Sequence, residues 1–318
     1  MNTIGFPIGH KEHEYRRAVL PTDLHLVKNA DHLLFEQGYG EAVGFTDEDY
    51  LRAGAFVAPR ETVLRQDVIC DPKIGDAEYL GELRDQTVFG WVHAVQNRDI
   101  TDRLIDGALT AYAWEEMFDQ GRHVFWRNNE IAGEAAIMHA FQLYAKMPYN
   151  TRVALIGRGN VAAGALRILT LLGADVTIFN RHTEQLLHKE LPCFDVVVNA
   201  VLWDVRRKDH LITREDLGRM KRNSMIIDIS CDRNGAIESS VPTTIEDPVY
   251  TEGGVLHYVV DHTPSLFYKT ATAGISAEVV KYLDALITQT PDEVLSNAEI
   301  IRDGVILDER INAFQNRS

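Results

Sequence analysis

The segment from residue 153 to residue 181 constrains the fold most, because it reads as a complete strand, glycine turn, helix and second strand. The apolar run 153–156 leads into Gly157 and Gly159, and a second apolar run covers residues 176–179. The unit is about thirty residues long, as expected for half of a βαβ nucleotide-binding domain. An ordinary α/β turn would also accept these glycines, but the flanking strand and helix favour dinucleotide binding.

Each position of the turn has a role in such a site. Gly157 permits the tight turn, Gly159 lets the backbone approach the phosphates, and Ala162 takes the third position, where helix packs closely on strand. Arg158 and Asn160 complete the predicted cofactor loop. The start of the helix supplies unpaired N–H groups and a partial positive charge to an anion.

The end of the second strand indicates which dinucleotide is bound. An NAD site usually carries Asp or Glu there to bind the ribose 2′-hydroxyl. This chain has the neutral Asn180 followed by Arg181, with Arg158 in the glycine turn. Two arginines without a carboxylate suit a 2′-phosphate, so we predict that the cofactor is NADP(H).

Amino-acid composition and net charge argue against several classes of partner and site. The net charge of −15 argues against nucleic acid and anionic membranes as partners. No apolar run has the length of a membrane span, and the first residues lead into a strand rather than a signal peptide. Cys70, Cys193 and Cys231 predict reduced thiols in a cytoplasmic protein. No metal site is predicted, because no cysteine–histidine cluster has zinc spacing.

Strands and helices alternate along the chain, which indicates parallel sheets. A helix is predicted over residues 128–144, ended by Pro148, and another over residues 273–287. We predict an α/β protein of two Rossmann-like domains with parallel sheets, separated by an active-site cleft. The substrate domain is expected to be discontinuous, from residues 1–140 and 275–318, and the NADP-binding domain to span residues 141–274. The strands are predicted over residues 3–6, 25–27, 68–70, 87–92, 109–112, 195–202, 224–230 and 257–261.

Four separated patches resemble the alanine dehydrogenase and pyridine nucleotide transhydrogenase family, and they occur in the family's order. They are residues 11–21, 70–73, 90–93 and 227–235. Three further segments, 89–97, 123–134 and 258–265, resemble a branch of that family that forms opines. The resemblance implies reductive condensation of pyruvate with the side-chain amine of ornithine or lysine, driven by NADPH, in a homo-oligomer.

The same resemblance identifies four site residues. It favours Arg16 over Arg17 as the clamp for the pyruvate carboxylate, which a guanidinium holds bidentately. Lys73 follows an apolar strand, where the ligand crevice of a parallel sheet lies, and binds the carboxylate or the keto oxygen. His93 donates a proton to that oxygen and assists loss of water. Asp232 orients the amine or serves the nicotinamide side.

Several alternatives remain open at this point. The sequence around Arg16 is also typical of a surface arginine, and that around Lys73 is typical of a solvated loop. Asp228, inside the predicted strand, is the carboxylate that a structural interpretation offers in place of Asp232. An alanine dehydrogenase acting on ammonia would share Arg16, Lys73, His93 and Asp232. A saccharopine-type enzyme would use 2-oxoglutarate instead of pyruvate. A protein that binds NADPH without catalysis is the alternative from a different class.

Overall fold

The computed structural model describes residues 1–204, 207–232 and 235–317, and the chain divides into two compact units. Unit 1 contains Met1–Trp126 and Tyr268–Ser318, and unit 2 contains Arg127–Phe267. The divisions fall earlier than the predicted ones after residues 140 and 274. The reason is packing within each unit: Gly133 lies against Val161 of unit 2, whereas Ile275 is buried in the core of unit 1.

The described residues form ten α-helices and sixteen strands. The helices are α1 (Asp47–Arg52), α2 (Arg60–Val63), α3 (Arg98–Asp106), α4 (Trp126–Tyr144), α5 (Asn160–Leu171), α6 (Glu184–Glu190), α7 (Arg214–Leu217), α8 (Tyr268–Thr288), α9 (Glu293–Ala298) and α10 (Glu309–Gln315). The strands are β1 (Ile4–Phe6), β2 (Leu33–Glu36), β3 (Phe56–Ala58), β4 (Val68–Cys70), β5 (Thr87–Gly90), β6 (Thr110–Ala113), β7 (Phe118–Asp119), β8 (Arg122–His123), β9 (Arg152–Ile156), β10 (Asp175–Phe179), β11 (Val196–Asn199), β12 (Met225–Asp228), β13 (Val249–Glu252), β14 (Val255–Tyr258), β15 (Glu299–Arg302) and β16 (Val305–Ile306).

Unit 1 is built on an eight-stranded sheet in the order β3-β2-β1-β4-β5-β6-β15-β16. The strands from β3 to β6 pair in parallel, and β15 and β16 add antiparallel strands at the edge. The strand order reverses between β1 and β4. In open α/β sheets, ligands bind outside the carboxyl ends of the strands at such a reversal.

Unit 2 has a six-stranded sheet in the order β10-β9-β11-β12-β14-β13. Five of its strands are parallel, and β13 pairs antiparallel with β14 at the edge. The order reverses between β9 and β11, beside the glycine turn. The predicted pair of Rossmann-like domains with parallel sheets is confirmed. Among the described residues, no helix is both long and apolar enough to span a bilayer.

The strand predicted over residues 25–27 is wrong, because Pro21–Leu26 forms a 3₁₀-helix. Proline at the first helical position favours this turn, and Leu24 anchors it in the core of unit 1. Seven short strands of the described residues were not predicted: β2, β3, β7, β8, β13, β15 and β16. Each is too short to show a clear alternation of apolar and polar residues, and β3 is preceded by the turn at Gly54, whose φ is +92°.

Candidate active site

The glycine turn after β9 has a geometry that requires glycine at its first position. Gly157 has φ of +121°, and a Cβ atom there would lie 2.6 Å from the carbonyl oxygen of Ala200. Gly159 precedes α5, and a Cβ on it would meet no described atom within 4 Å. Ala162 is buried beneath the turn. Because the first N–H groups of a helix lack partners within it, this open turn suits a phosphate of a dinucleotide.

Two arginines follow the neighbouring ends of β9 and β10, which pair in parallel through their last residues. Arg158 and Arg181 are both exposed, and neither makes a hydrogen bond or ion pair with any residue that the structure describes. The Asn180 side chain is used locally, since its Oδ1 accepts a hydrogen bond of 2.9 Å from the N–H of His182. The end of β10 therefore presents cationic groups and no carboxylate.

The two carboxylates near the end of β12 differ in environment. Asp228 is buried and accepts hydrogen bonds from Asn199 and Ser240, so its position is structural. Asp232 is only partly buried. Burial and the nearby Asp228 charge raise the pKa of Asp232 to about 6, although a hydrogen bond from the backbone of Trp203 opposes the shift. Asp232 is thus the more accessible of the two carboxyls, with a pKa raised toward neutral pH.

Lys73 lies directly after β4, at the reversal of the unit 1 sheet. Its backbone N–H donates to Oδ1 of Asp71 at 2.8 Å, and the Tyr79 hydroxyl donates to Oδ2 of the same carboxylate at 2.6 Å. The Lys73 ammonium lies 3.4 Å from Oδ2 of Asp76, which also accepts a hydrogen bond from Lys11 at 3.0 Å. Burial raises the pKa of Asp76, but the two lysines lower it overall. Asp76 is therefore ionised and positions both ammonium groups.

Arg16 is buried and paired with Glu14 through two atoms of its guanidinium. Nε donates to Oε1 at 2.9 Å and Nη2 to Oε2 at 2.5 Å, and Cζ lies 5.2 Å from the centre of the Trp91 ring. Burial raises the pKa of Glu14, but the charges of Arg16 and Lys73 lower it overall. The carboxylate therefore stays ionised and fixes the Arg16 guanidinium.

Arg17 has a different role from its neighbour. Its Nε donates to the carbonyl oxygen of Tyr39 at 2.6 Å, and its Nη1 donates to that of Arg16 at 2.9 Å. These bonds hold the backbone carbonyl groups of Tyr39 and Arg16 in place. The choice of Arg16 rather than Arg17 as the clamp for a substrate carboxylate remains a prediction.

His93 follows β5 in a left-handed conformation, with φ of +55°. Such a conformation costs on the order of 1–3 kcal/mol outside glycine, and Glu115 holds it by accepting the N–H groups of His93 and Val92 at 2.6 and 3.2 Å. Oε1 of Glu115 also lies 3.2 Å from the imidazole Nδ1. The ring is 41% exposed. Desolvation nevertheless lowers the pKa of His93, Glu115 opposes this, and Lys73 adds to it.

Two glycines hold the loop after β4 against the loop after β5. A Cβ on Gly90 would lie 1.9 Å from the carbonyl oxygen of Asp71, and one on Gly75 would lie 2.1 Å from that of Val92. Neither position accepts a side chain without displacing backbone. The close contact explains why the lysine and histidine loops share one edge of the sheet.

The structure thus gathers Arg16, Lys73 and His93 at the carboxyl edge of the unit 1 sheet. The predicted cofactor residues and Asp232 lie at the carboxyl ends of strands in unit 2. The partners Glu14, Asp76 and Glu115 were not predicted as site residues. Their position in the sequence could have indicated two of them, because Asp76 and Glu115 lie in turns that follow parallel strands, where ligand crevices form.

Comparison with known families accounts for both units. Residues 5–131 match the family described as alanine dehydrogenase/PNT, N-terminal domain, and residues 180–311 match alanine dehydrogenase/PNT, C-terminal domain. The chain belongs to the alanine dehydrogenase/PNT family. It is therefore an oxidoreductase of this type, and relatives in the family bind a nicotinamide dinucleotide.

Individual relatives lie on two branches of the alanine dehydrogenase/PNT family. The chain is 31% identical to N(5)-(carboxyethyl)ornithine synthase of Clostridium botulinum, over 88% of this chain and 93% of the relative. It is 26% identical to alanine dehydrogenase 1 of Staphylococcus aureus, over 93% and 90% of the two chains. A solved L-alanine dehydrogenase shares the fold, with a TM-score of 0.83, 22% identity and coverage of 99% of both chains.

Proposed function

We propose that this protein condenses pyruvate reductively with the side-chain amine of ornithine or lysine, using NADPH, to give an N-(1-carboxyethyl) amino acid. The observation that carries the proposal is the pair of exposed arginines, Arg158 and Arg181, at strand ends that lack a carboxylate. This arrangement suits the 2′-phosphate of NADPH. The name of the Clostridium botulinum relative supports the same reaction.

Binding of the oxo acid is assigned to the two buried cations of unit 1. Arg16, fixed by Glu14, clamps the pyruvate carboxylate through charge-assisted hydrogen bonds. Lys73, positioned by Asp76, binds the carboxylate or the keto oxygen. Because both cations are themselves paired with carboxylates, the substrate meets groups whose positions are already fixed.

Proton transfer is assigned to His93. The neutral amine attacks C2 of pyruvate, a C–N bond forms, and the carbonyl oxygen takes a proton from the imidazolium. Glu115 lies against Nδ1, which leaves Nε2 for this transfer. The lowered pKa of His93 makes its imidazolium a stronger acid. The imidazole then takes one proton from the nitrogen of the adduct and delivers it to the new hydroxyl. The C–O bond breaks, water leaves, and a protonated C=N bond forms.

The cofactor and Asp232 complete the reaction. Gly157, Gly159, Asn160 and Ala162 would hold the pyrophosphate of NADPH, which when bound would supply the hydride for reduction of the C=N bond to the secondary amine. Asp232 is assigned to orienting the amine or the nicotinamide side, where a pKa of about 6 permits proton exchange.

The test is NADPH oxidation with pyruvate and either ornithine, lysine or ammonia as the amine. We expect the diamino acids to give a kcat/KM far above that of ammonia, and NADPH to be preferred to NADH. The second candidate, alanine dehydrogenase, is favoured by the likeness to the Staphylococcus aureus enzyme. Efficient turnover with ammonia alone would establish it and exclude the condensation.

A further inference from the structure

A cavity of about 350 Å³ opens at the carboxyl edge of the unit 1 sheet. Small-molecule sites commonly fall between about 300 and 1,000 Å³, so an amino acid fits. Its wall carries charges of both signs close together, as a zwitterion requires. The residues that carry the argument are His10, Lys11, Arg60, Asp76, Glu78 and Tyr79.

One wall of this cavity is continuous with the Lys73 loop. Asp76 Oδ2 accepts a hydrogen bond from Lys11 at 3.0 Å and lies 3.4 Å from the Lys73 ammonium. Tyr79 donates to Asp71, the carboxylate that also accepts the backbone N–H of Lys73. The Asp76 carboxylate therefore both lines the cavity and contacts the Lys73 ammonium.

Arg60 adds a fixed guanidinium to the lining of the cavity. Its Nη1 donates to the carbonyl oxygen of Ile8 at 2.9 Å and to Glu36 at 3.1 Å, and Cζ lies 5.2 Å from the centre of the Tyr79 ring. Nη2 is buried and makes no hydrogen bond to the described residues. Its contact with the Glu78 carboxylate, at 3.6 Å, is an ion pair longer than a hydrogen bond, so a ligand carboxylate can satisfy this buried donor through a charge-assisted bond.

Glu78 supplies the complementary anion at the rim. Its side chain is 68% exposed, and Oε1 lies 3.6 Å from Nη2 of Arg60 and 2.8 Å from Nδ1 of His10. A carboxylate has acceptor positions beyond these two contacts, so Glu78 can also accept hydrogen bonds from an incoming ammonium group. Arg60 and Glu78 together present one cation and one anion, which matches the α-carboxylate and α-ammonium of an amino acid.

We propose that this cavity is the subsite for the α-amino acid end of the second substrate, with Arg60 binding the α-carboxylate and Glu78 the α-ammonium. The terminal amine then extends toward Lys73. The inference rests on the proposed function and deepens it, because it names the residues that select a diamino acid. Ammonia carries neither group and has no use for such a subsite.

Two analogues separate the contributions of Arg60 and Glu78. Putrescine lacks the carboxylate of ornithine, and 5-aminopentanoate lacks its α-amino group. Both are measured as inhibitors competitive with ornithine, so neither has to turn over. Arg60→Gln is expected to raise the KM for ornithine and the inhibition constant of 5-aminopentanoate by about tenfold or more, leaving putrescine unchanged. Glu78→Gln is expected to weaken ornithine and putrescine and to leave 5-aminopentanoate unchanged.

Controls separate a binding effect from loss of fold. Arg52→Gln alters an exposed arginine paired with Asp49 and should change none of these constants. Melting temperatures are compared, and if Arg60→Gln does not fold, the exposed Glu78 variant decides. The subsite is overturned if a variant weakens both analogues equally, if neither variant has an effect, or if the analogues do not inhibit the wild type. In each of these cases, turnover of ornithine would still uphold the proposed function. Absence of turnover with any diamino acid overturns the function, and the subsite with it.

Discussion

At the residue scale, each reactive side chain of unit 1 has a carboxylate that fixes its position or its proton affinity. Glu14 orients Arg16 through two hydrogen bonds, and Glu115 both holds the His93 backbone and opposes the fall in the imidazole pKa. The resemblance implied roles for Arg16, Lys73 and His93, and those roles remain predictions. The sequence did not predict their partners, because Glu115 reaches His93 only after two parallel strands have paired.

Cofactor choice depends on Arg181 in this account. Arg181→Ala is expected to weaken NADPH binding by about tenfold to a hundredfold, the worth of one hydrogen bond to a charged group, and to leave NADH binding unchanged. Titration of the protein with each dinucleotide, followed by fluorescence, measures both constants. Arg152→Ala is the matched control, because this exposed arginine lies at the opposite end of β9 and pairs with Asp175. An unchanged ratio of NADPH to NADH affinity after Arg181→Ala would contradict the 2′-phosphate assignment.

The raised pKa of Asp232 predicts a conflict between stability and activity. Its ordinary pKa is 3.8, and folding raises it to about 6. The ionised carboxylate therefore costs folded stability above pH 6, and the cost disappears as pH falls below 3.8. Asp232→Asn should raise the free energy of unfolding by up to about 3 kcal/mol at pH 8 and have no effect at pH 3.5, while turnover falls. Urea unfolding at the two pH values measures the change in the free energy of unfolding that Asp232→Asn causes. An equal change at both pH values would refute the assigned pKa.

At the element scale, α4 and α5 approach through two glycines. A Cβ on Gly164 would lie 1.9 Å from the carbonyl oxygen of Glu130, and one on Gly133 would lie 2.0 Å from that of Val161. Arg127 and Arg167 both contact Glu130, which reinforces the same contact with charge. This packing places the start of α5, and with it the nucleotide turn, on the sheet of unit 2.

Gly164→Ala should therefore separate the two helices. We expect a loss of about 1–3 kcal/mol in the free energy of unfolding, as is usual for overpacking, and weaker binding of both NADPH and NADH. Gly218→Ala is the control: its φ is −66°, and the closest atom to the added Cβ lies at 3.5 Å. Denaturant unfolding of both variants measures the difference. A Gly164→Ala protein as stable as the control would show that the helices adjust without cost.

Helices and buried strands were predicted well where a segment was long or strongly apolar, as for α4, α8, β9 and β12. The 3₁₀-helix Pro21–Leu26 was not predicted, and neither were seven short strands, of which β2 and β3 are examples. Their conformation comes from contacts distant in sequence: the backbone N–H of Leu20 donates to Ser276, and β2 pairs with β1 and β3. Those contacts cannot be inferred from the neighbouring residues in the sequence.

At the scale of the whole molecule, each unit has its own sheet of mostly parallel strands, and each unit carries different candidate site residues. Unit 1 carries the candidate oxo acid site and the Arg60 cavity, and unit 2 carries the candidate dinucleotide turn and Asp232. Unit 1 contains Met1–Trp126 and Tyr268–Ser318, whereas the sequence predicts divisions after residues 140 and 274. A single long helix such as α4 gives no local signal for the unit on which it packs.

The most direct test of the central claim follows the hydride and the new bond together. The protein is incubated with pyruvate, ornithine, ammonia and NADPH carrying deuterium at the transferred C4 position, and the products are analysed by mass spectrometry and NMR. The account predicts an N-(carboxyethyl) derivative of ornithine with one deuterium on the carbon that was C2 of pyruvate. Deuterated alanine as the only labelled product would contradict it, since ammonia would then be the amine that this protein uses.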